Sequence, residues 1–246
     1  FSEVPEPVFK IFDGVQPTAI IKNSGLFLAV KGGKANYSMA HMDAGSFVFE
    51  TMRNGDAVRW VEDLGPERVR RLEHAKIDVE NYSQKSSRWS IFRHGPFSHS
   101  TFTIDGKLHD VDGFVPLSRS AGDTFGLVAD CSCLYDEFKS AKRYFSINEK
   151  SELLLRDVFL GQEKAYKYSF SFCTSANVRL EGGSAVLEKN GRKISIEAAA
   201  KGSWRIIDIS IPAQRYESRN QGMKRVVFSC DISKGAAAVE FRFREK

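Results

Sequence analysis

The sequence has no long apolar run and no block of a single charge. No apolar stretch approaches the roughly eighteen residues of a membrane-spanning helix, so we predict no membrane span. Its 36 basic and 31 acidic residues give a formal net charge of +5, and no basic run typical of nucleic-acid-binding tails occurs. The positive excess attracts polyanions without identifying one. A mixed, solvated surface is the simpler interpretation, and we predict no nucleic-acid partner.

Cysteine is scarce, and its spacing is uninformative about metals. The four cysteines stand at positions 131, 133, 173 and 230 and lack the paired C-x-x-C spacing of zinc ribbons. Cys131 and Cys133 are expected on one face of a strand. Free buried thiols are favoured over the alternative of one disulfide. The chain has neither a starting Met nor a signal peptide, so its start at Phe1 indicates a mature or excised piece.

Aromatic residues are abundant and favour strands. Phe alone supplies 19 residues, and residues 166–172 alternate aromatic with polar side chains at a period of two. Apolar runs flank Asn54-Gly55, Asp105-Gly106 and Asn190-Gly191, which predicts three hairpins. Only residues 67–76 are typical of a helix. We therefore predict one all-β domain over residues 1–246, a large antiparallel β-sandwich of two stacked sheets with one short helix.

One constellation of polar residues points to chemistry. His41 and Asp43 precede the first hairpin and Asp63 ends it, so a tip at Asn54-Gly55 places Asp63 opposite Ser46, beside the loop that holds His41. His99, at the entry to the second hairpin, is a third candidate. Two imidazoles and a carboxylate are competent zinc ligands. By spacing alone, a hydrogen-bonded polar cluster without metal is the favoured alternative.

Several motifs resemble the signature of the heparinase II/III-like polysaccharide lyases. They are Asn-x-x-x-x-His-Met-Asp-Ala-Gly-Ser-Phe-Val from Asn36, Val58-Arg-Trp60 with Asp63-Leu-Gly65, Ser87-Arg-Trp89, Phe92-Arg93, and Phe97-Ser-His99-Ser-Thr-Phe-Thr-Ile-Asp-Gly106. The resemblance is sharp from Asn36 to Gly113 and diffuse beyond. It implies the C-terminal β-sandwich of such a lyase, with the preceding helical toroid domain missing from this chain.

The same resemblance implies a metal site and a reaction. The metal, usually zinc and here also compatible with another divalent ion, would be held by His41, Asp63 and His99. Asp43 would orient His41 through its other ring nitrogen, or else act as a turn residue bonded to nearby amides. The implied reaction is β-elimination on an acidic, uronate-containing polysaccharide or oligosaccharide. The implied location is periplasmic or secreted, in a bacterium.

The sequence departs from the family at one position that matters. Met39 stands where the family has a catalytic histidine, and a thioether cannot exchange protons at neutral pH. No catalytic residue is therefore assigned, although His94 and Tyr37 are candidate replacements. Three further candidates for substrate binding are Arg88, Arg93 and Trp89, against the alternatives of salt bridges, cation–π contacts and core packing.

Three functions follow as hypotheses. The first is the metal-bearing portion of a lyase that is inactive as an isolated fragment. The second is a non-catalytic carbohydrate-binding or structural β-sandwich from a degenerate lyase, which Met39 favours. The third is a metal-dependent hydrolase in which His41, Asp63 and His99 activate water.

Overall fold

Alternating apolar and polar residues give a fold whose regular secondary structure is almost wholly antiparallel strands. The computed structural model describes residues 7–122 and 125–246, so Phe1 lies outside the described residues. In these ranges one short α-helix, α1 (Val69–His74), occurs, within the predicted residues 67–76. No helix in the same ranges has the length and apolarity to cross a membrane. The strands are β1 (Val8–Phe12), β2 (Thr18–Lys22), β3 (Leu26–Lys31), β4 (Phe47–Arg53), β5 (Asp56–Val61), β6 (Phe102–Ile104), β7 (Leu117–Arg119), β8 (Leu127–Asp130), β9 (Ser140–Ile147), β10 (Leu153–Leu160), β11 (Tyr166–Thr174), β12 (Asn177–Glu181), β13 (Ser184–Lys189), β14 (Arg192–Ala198), β15 (Ser203–Asp208), β16 (Lys224–Ile232) and β17 (Ala236–Glu245).

These strands form three sheets. β1 to β5 make a five-stranded meander in chain order. Eight strands form the largest sheet, in the order β12-β13-β14-β17-β10-β9-β8-β7. Four strands form the third, in the order β15-β16-β11-β6. The prediction of an all-β antiparallel sandwich with one short helix is confirmed.

Aromatic rings show how the sheets stack. From the five-stranded sheet, the Phe49 ring lies 5.6 Å from that of Phe243 on β17. From the four-stranded sheet, the Phe170 ring lies 4.8 Å from that of Phe241, also on β17. An isolated bridge between Glu62 and Cys173 links the two smaller sheets. The two smaller sheets thus cover the eight-stranded sheet together, and one continuous apolar core joins all three.

Two local predictions are wrong. Residues 107–111 do not pair back on β6, because β6 hydrogen-bonds instead to β11, with Phe102 opposite Phe170. This pairing places Phe102 in the core beside the aromatic stripe of β11. Cys131 and Cys133 do not share a strand either, because the chain turns through a short 3-10 segment, Ser132–Leu134, after β8. All four cysteines are free, as favoured, and Cys133 is exposed while the other three are buried.

Candidate metal centre

The segments that carry the predicted ligands meet at the open end of the β4–β5 hairpin. His41 and Asp43 lie in the connection between β3 and β4, and Asp63 follows β5. His99 follows the 3-10 turn Pro96–Ser98 and precedes β6. The hairpin tip has positive φ angles at Asn54 (52°) and Gly55 (86°), as its sequence predicts.

The register of this hairpin changes before it reaches the site. Near the tip, Glu50 pairs with Arg59 as predicted, but a bulge follows and Phe49 pairs with Val61. The extra residue shifts the pairing of the end of β5 by one position. The predicted alignment of Asp63 with Ser46, which assumed an unbroken register, therefore does not hold. The bulge turns this end of β5 toward β11, where Glu62 bridges to Cys173.

Buried hydroxyl groups fasten two of these segments to each other. The Ser100 hydroxyl accepts a hydrogen bond from the Phe47 amide at 2.7 Å and donates to the Phe47 carbonyl. The Thr101 hydroxyl donates to the Ala44 carbonyl at 3.1 Å. The residues after Asp43 and those after His99 are therefore held side by side.

His99 is buried and hydrogen-bonded at both ring nitrogens. Its Nδ1 donates to Asp63 Oδ2 at 2.8 Å, and its Nε2 donates to the Arg93 carbonyl at 3.0 Å. Burial by itself lowers the pKa of His99, but the hydrogen bond to Asp63 and the charge of Asp43 outweigh it and raise the pKa. The imidazole is therefore held as a cation beside the carboxylate.

Asp63 is the carboxylate that faces His99. Burial favours its protonated form, but the His99 hydrogen bond, with that of the Gly65 amide at 2.7 Å, holds the pKa of Asp63 well below its usual range. The side chain is 41% exposed, so the carboxylate borders solvent on one side. It is a charged oxygen donor at the edge of the cluster.

His41 lies beside His99 and has a free imidazole. Ligand atoms of His41, Asp43 and His99 all lie within 4.8 Å of one another. Among the described residues, no group hydrogen-bonds to either ring nitrogen of His41. Burial and the positive charges of His99, His94, Arg88 and Lys31 lower the pKa of His41 to about 2. Its lone pair is therefore available to a cation.

Asp43 is tied to a lysine rather than to His41. Both its carboxylate oxygens accept from Lys31 Nζ, at 2.5 and 2.6 Å. Lys31 is the last residue of β3, next to the turn that carries Asp43, and sequence reasoning missed it because neither its type nor its spacing marks it. A depression of about 360 Å³ beside this pair is lined by Lys31, Asp43 and Asp63, among others.

His94 completes a cluster of three imidazoles. Its ring centroid lies 4.7 Å from that of His41, and the residue is only 4% exposed. His94 Nδ1 is buried without a hydrogen-bond partner among the described residues. Burial, with the charge of Arg88, lowers the pKa of His94 to about 4. The sequence offered only its nearness to His99 as a signal.

Met39 stands at the rim of the cluster. It is 58% exposed and has a φ of 60°, a left-handed conformation that is uncommon for a residue with a side chain. Its amide donates to the Tyr82 hydroxyl at 2.9 Å. Tyr37, the other candidate replacement for a catalytic group, is also exposed, at 44%.

The three predicted substrate-binding residues are largely turned inward. Arg88, 3% exposed, donates to the carbonyls of Val79 and Ala40, at 2.5 and 2.7 Å. Trp89 is buried, and its indole N–H donates to the Ser83 carbonyl at 2.8 Å. Arg88 therefore fixes the backbone next to His41 rather than reaching into solvent.

Arg93 also bonds to protein groups. Its guanidinium donates to the Pro66 carbonyl at 2.9 Å and to Asn220 Oδ1 at 2.7 Å, and lies 3.8 Å from the buried Glu67 carboxylate. Its own carbonyl accepts from His99. Arg93 thus supports His99 through the backbone and ties this segment to the loop that precedes β16.

Comparison with known proteins identifies the fold and a family. Residues 18–242 match the family model described as heparinase II/III-like, C-terminal. No curated protein sequence matches the chain.

Solved structures share the same architecture. A heparinase III structure superposes with a TM-score of 0.68 at 16% identity, and a heparan sulfate lyase HepC from Pedobacter heparinus with 0.69 at 13% identity. A 4-alpha-glucanotransferase from Thermococcus litoralis gives 0.59 at 12% identity. Each alignment covers 98% of this chain, but this chain spans only 37% of the first two proteins and 40% of the third. At such identities the likeness shows the fold alone.

Proposed function

This chain belongs to the heparinase II/III-like C-terminal family, and from that premise we propose that it is the metal-binding β-sandwich portion of a bacterial polysaccharide lyase. The single observation that supports metal binding is that three separate segments bring His41, His99 and two carboxylates, Asp43 and Asp63, to one place. The Asp63 carboxylate and His99 imidazole are already 2.8 Å apart, and the ligand atoms of His41 and His99 are within 4.8 Å.

The donor set fits a divalent cation such as zinc. Two imidazole nitrogens and a carboxylate oxygen suit its chemistry. The His41 lone pair is free, whereas His99 would have to release the proton that Nδ1 donates to Asp63 before it could bind the cation. Asp43 is closer to His41, but its charge is already compensated by Lys31. Asp63 has no lysine or arginine ion-pair partner among the described residues and faces His99, so we assign Asp63 as the carboxylate ligand and Asp43 as a neighbour. When bound, the cation supplies a cross-link between these segments.

The proposed reaction of the whole protein is β-elimination at a uronic acid unit of an acidic polysaccharide. It requires neutralisation of the uronate carboxylate, a base for the proton at C5 and an acid for the leaving oxygen. Met39 can supply neither proton transfer. We therefore place the base and the acid in a helical domain outside this chain and propose a periplasmic or secreted location.

Zinc titration of the purified chain tests the metal site. We expect zinc to bind one site per chain and to raise the melting temperature, because a ligand that binds only the folded state stabilises it. His41→Ala, Asp63→Ala and His99→Ala should each weaken zinc binding by at least about tenfold, the typical loss for a disturbed metal site. Isothermal titration calorimetry measures the affinity, and thermal unfolding with and without chelator measures the stabilisation.

His74→Ala is the matched control. His74 is an exposed histidine at the end of α1, so its removal should leave zinc affinity and the zinc-dependent stabilisation unchanged. Wild-type zinc affinity in all three ligand variants would refute the assignment. A metal bound with unchanged affinity in Asp63→Ala alone would transfer the carboxylate role to Asp43.

Met39 supports a second candidate function, a carbohydrate-binding or structural sandwich from a degenerate lyase. By the resemblance, the exposed Met39 thioether stands where the family has a histidine. The nearby His94 and His99 are buried and do not replace that histidine at the surface. Activity of the whole protein separates the two candidates, because a degenerate protein would bind acidic polysaccharide without cleaving it.

A further inference from the structure

The outer face of the four-stranded sheet carries a groove whose lining residues differ from those of the candidate metal centre. The groove has a volume of about 660 Å³, and its floor is formed where β15, β16 and the start of β11 lie side by side. Strand alternation places Ser203 opposite Ser229, with Lys167 and Asp231 one row further along. Apolar partners such as Tyr168 and Phe228 point the other way, into the core.

Positive charge outweighs negative charge in this groove. Lys167, Lys201 and Arg205 line it and are exposed, and Asp231 is the one carboxylate among the lining residues. Within residues 7–122 and 125–246, none of the three cations forms an ion pair, although many other exposed cations of the chain do. Three converging cations with hydroxyl groups between them attract an anion that also accepts and donates hydrogen bonds.

A partly buried arginine lies on the same face of the sheet, nearer the candidate metal centre. Arg225 lies on the same face of β16, with Val227 as the row between it and Ser229. Its guanidinium stacks over the Phe97 ring at 5.4 Å and donates to the Ser171 hydroxyl at 3.4 Å. Burial, with the neighbouring charge of Arg205, lowers the pKa of Arg225 to about 10.

Ser171 connects this face to the candidate metal centre. Its hydroxyl donates to the His99 carbonyl at 3.5 Å. From Ser171 to Lys167 the strand runs four residues, roughly 13 Å at the rise of a β-strand. Ser171 and Val227 are each only 2% exposed, so this connection runs through the protein interior and the groove remains a separate site on the surface.

We propose that this groove is a second binding site for acidic oligosaccharide, separate from the cleft in which cleavage would occur. The inference rests on the proposed function for the identity of the ligand, since an acidic polysaccharide has the charge and the hydroxyl groups that the groove complements. Single-stranded nucleic acid fits less well, because none of the described residues that line the groove is aromatic and able to stack with bases.

Calorimetric titration with a heparin hexasaccharide and an alginate hexasaccharide tests the site on the 246-residue chain. The heparin hexasaccharide carries sulfates and carboxylates, whereas the alginate hexasaccharide carries carboxylates only. Comparing their affinities shows which anionic group the groove prefers. We expect at least one to bind, with an affinity that falls as salt is added. Lys167→Ala/Arg205→Ala should weaken that binding about tenfold, since each lost charge removes an attraction of moderate size in water.

Lys22→Ala/Arg71→Ala is the matched control. It removes two exposed cations from β2 and α1, away from the groove, and lowers the net charge equally. We expect its affinity to stay within about twofold of wild type, because distant surface charges are screened. Circular dichroism should show both double variants folded.

Three results would overturn the proposal. The first is an equal loss of oligosaccharide affinity in the two double variants, and the second is no binding of either hexasaccharide by the wild-type chain. The third is single-stranded DNA that binds as tightly as the oligosaccharide and is weakened equally by Lys167→Ala/Arg205→Ala. Repeating the titrations with chelator separates this site from the metal centre. Groove binding that persists while zinc fails to bind would support the second site and refute only the metal assignment.

Discussion

His99 shows how one residue links the candidate site to its support. Its ring bonds to Asp63 on one side and to the Arg93 backbone on the other, and the residue is only 1% exposed. A cation held by His99 and Asp63 would have to replace part of this arrangement. The same side chains form a polar cluster without metal, and the proposed metal binding would require His99 to release a ring proton.

Arg143 is the residue that ties the candidate site to the core. It is fully buried on β9 and forms a bidentate pair with Asp157 on β10, at 2.7 Å for both bonds. Its remaining nitrogen donates to the carbonyls of Gly45 and Ser100, at 3.0 and 2.9 Å. One guanidinium thus joins the eight-stranded sheet to two of the three segments that carry candidate ligands, those of His41 and His99.

Replacement of Arg143 alone should destabilise the protein strongly. Arg143→Met leaves the Asp157 carboxylate buried with only the Tyr168 hydroxyl as partner, which we expect to cost about 3 to 5 kcal/mol of unfolding free energy. Urea unfolding followed by circular dichroism measures this change.

A double variant provides the control for that prediction. Arg143→Met/Asp157→Leu removes both charges, so we expect it to be more stable than Arg143→Met alone. If the double variant loses as much unfolding free energy as the two single variants together, the two side chains act independently and the predicted coupling is wrong.

At the scale of elements, the β4–β5 hairpin delivers Asp63 to the site. Its tip follows from Asn54-Gly55, and the register holds from Arg53 and Asp56 to Glu50 and Arg59. The bulge beyond was not predictable, because its cause lies outside the hairpin, where Glu62 meets Cys173 on β11. The local sequence determines the turn conformation, and contact with the distant strand β11 determines the path of the chain after β5.

Gly55→Ala should weaken this hairpin through the backbone alone. An added Cβ at Gly55 would meet no atom within 4 Å, but the φ of 86° is unfavourable for alanine. We expect a loss of about 1 kcal/mol in unfolding free energy, measured by urea denaturation.

Asn54→Gly serves as the comparison at the neighbouring position. Asn54 also has a positive φ, of 52°, which glycine adopts easily, so this variant should lie within about 0.5 kcal/mol of wild type. Equal stability of Gly55→Ala and wild type would contradict the assigned turn conformation.

At the scale of the whole molecule, the two smaller sheets meet over the large one, and the candidate centre lies at their junction. His41 and Asp63 belong to connections of the five-stranded sheet, and His99 leads into the four-stranded sheet. The 37% share of the solved lyases that this chain spans leaves most of their length without a counterpart here. A proton-transfer group supplied by another domain is consistent with that difference in size.

The isolated chain should therefore show no lyase turnover. We expect no rise in the ultraviolet absorbance of unsaturated product when it is incubated with heparan sulfate or alginate, with or without zinc. The heparan sulfate lyase from Pedobacter heparinus is a suitable positive control for the first substrate. Robust turnover by the chain alone would contradict the proposal that the base and the acid lie elsewhere.

The sequence alone determined the class of fold, most strands and the turn chemistry. Alternation along residues 166–172 identified β11, and Asn190-Gly191 identified the hairpin of β13 and β14, where Lys189 pairs with Arg192. These features were predictable because they depend on neighbours within a few residues. The resemblance in residues 36–113 identified the family, which the family model confirms.

Only the tertiary structure decided the partners of the site. It paired Asp43 with Lys31, brought His94 against His41 and buried Arg88 under carbonyl groups. It also shifted the register at the end of β5 by one residue. It paired β6 with β11 instead of with residues 107–111, the second strand of the predicted hairpin. Each outcome depends on side chains distant in sequence that compete for the same buried space and the same hydrogen bonds, and no local pattern records that competition.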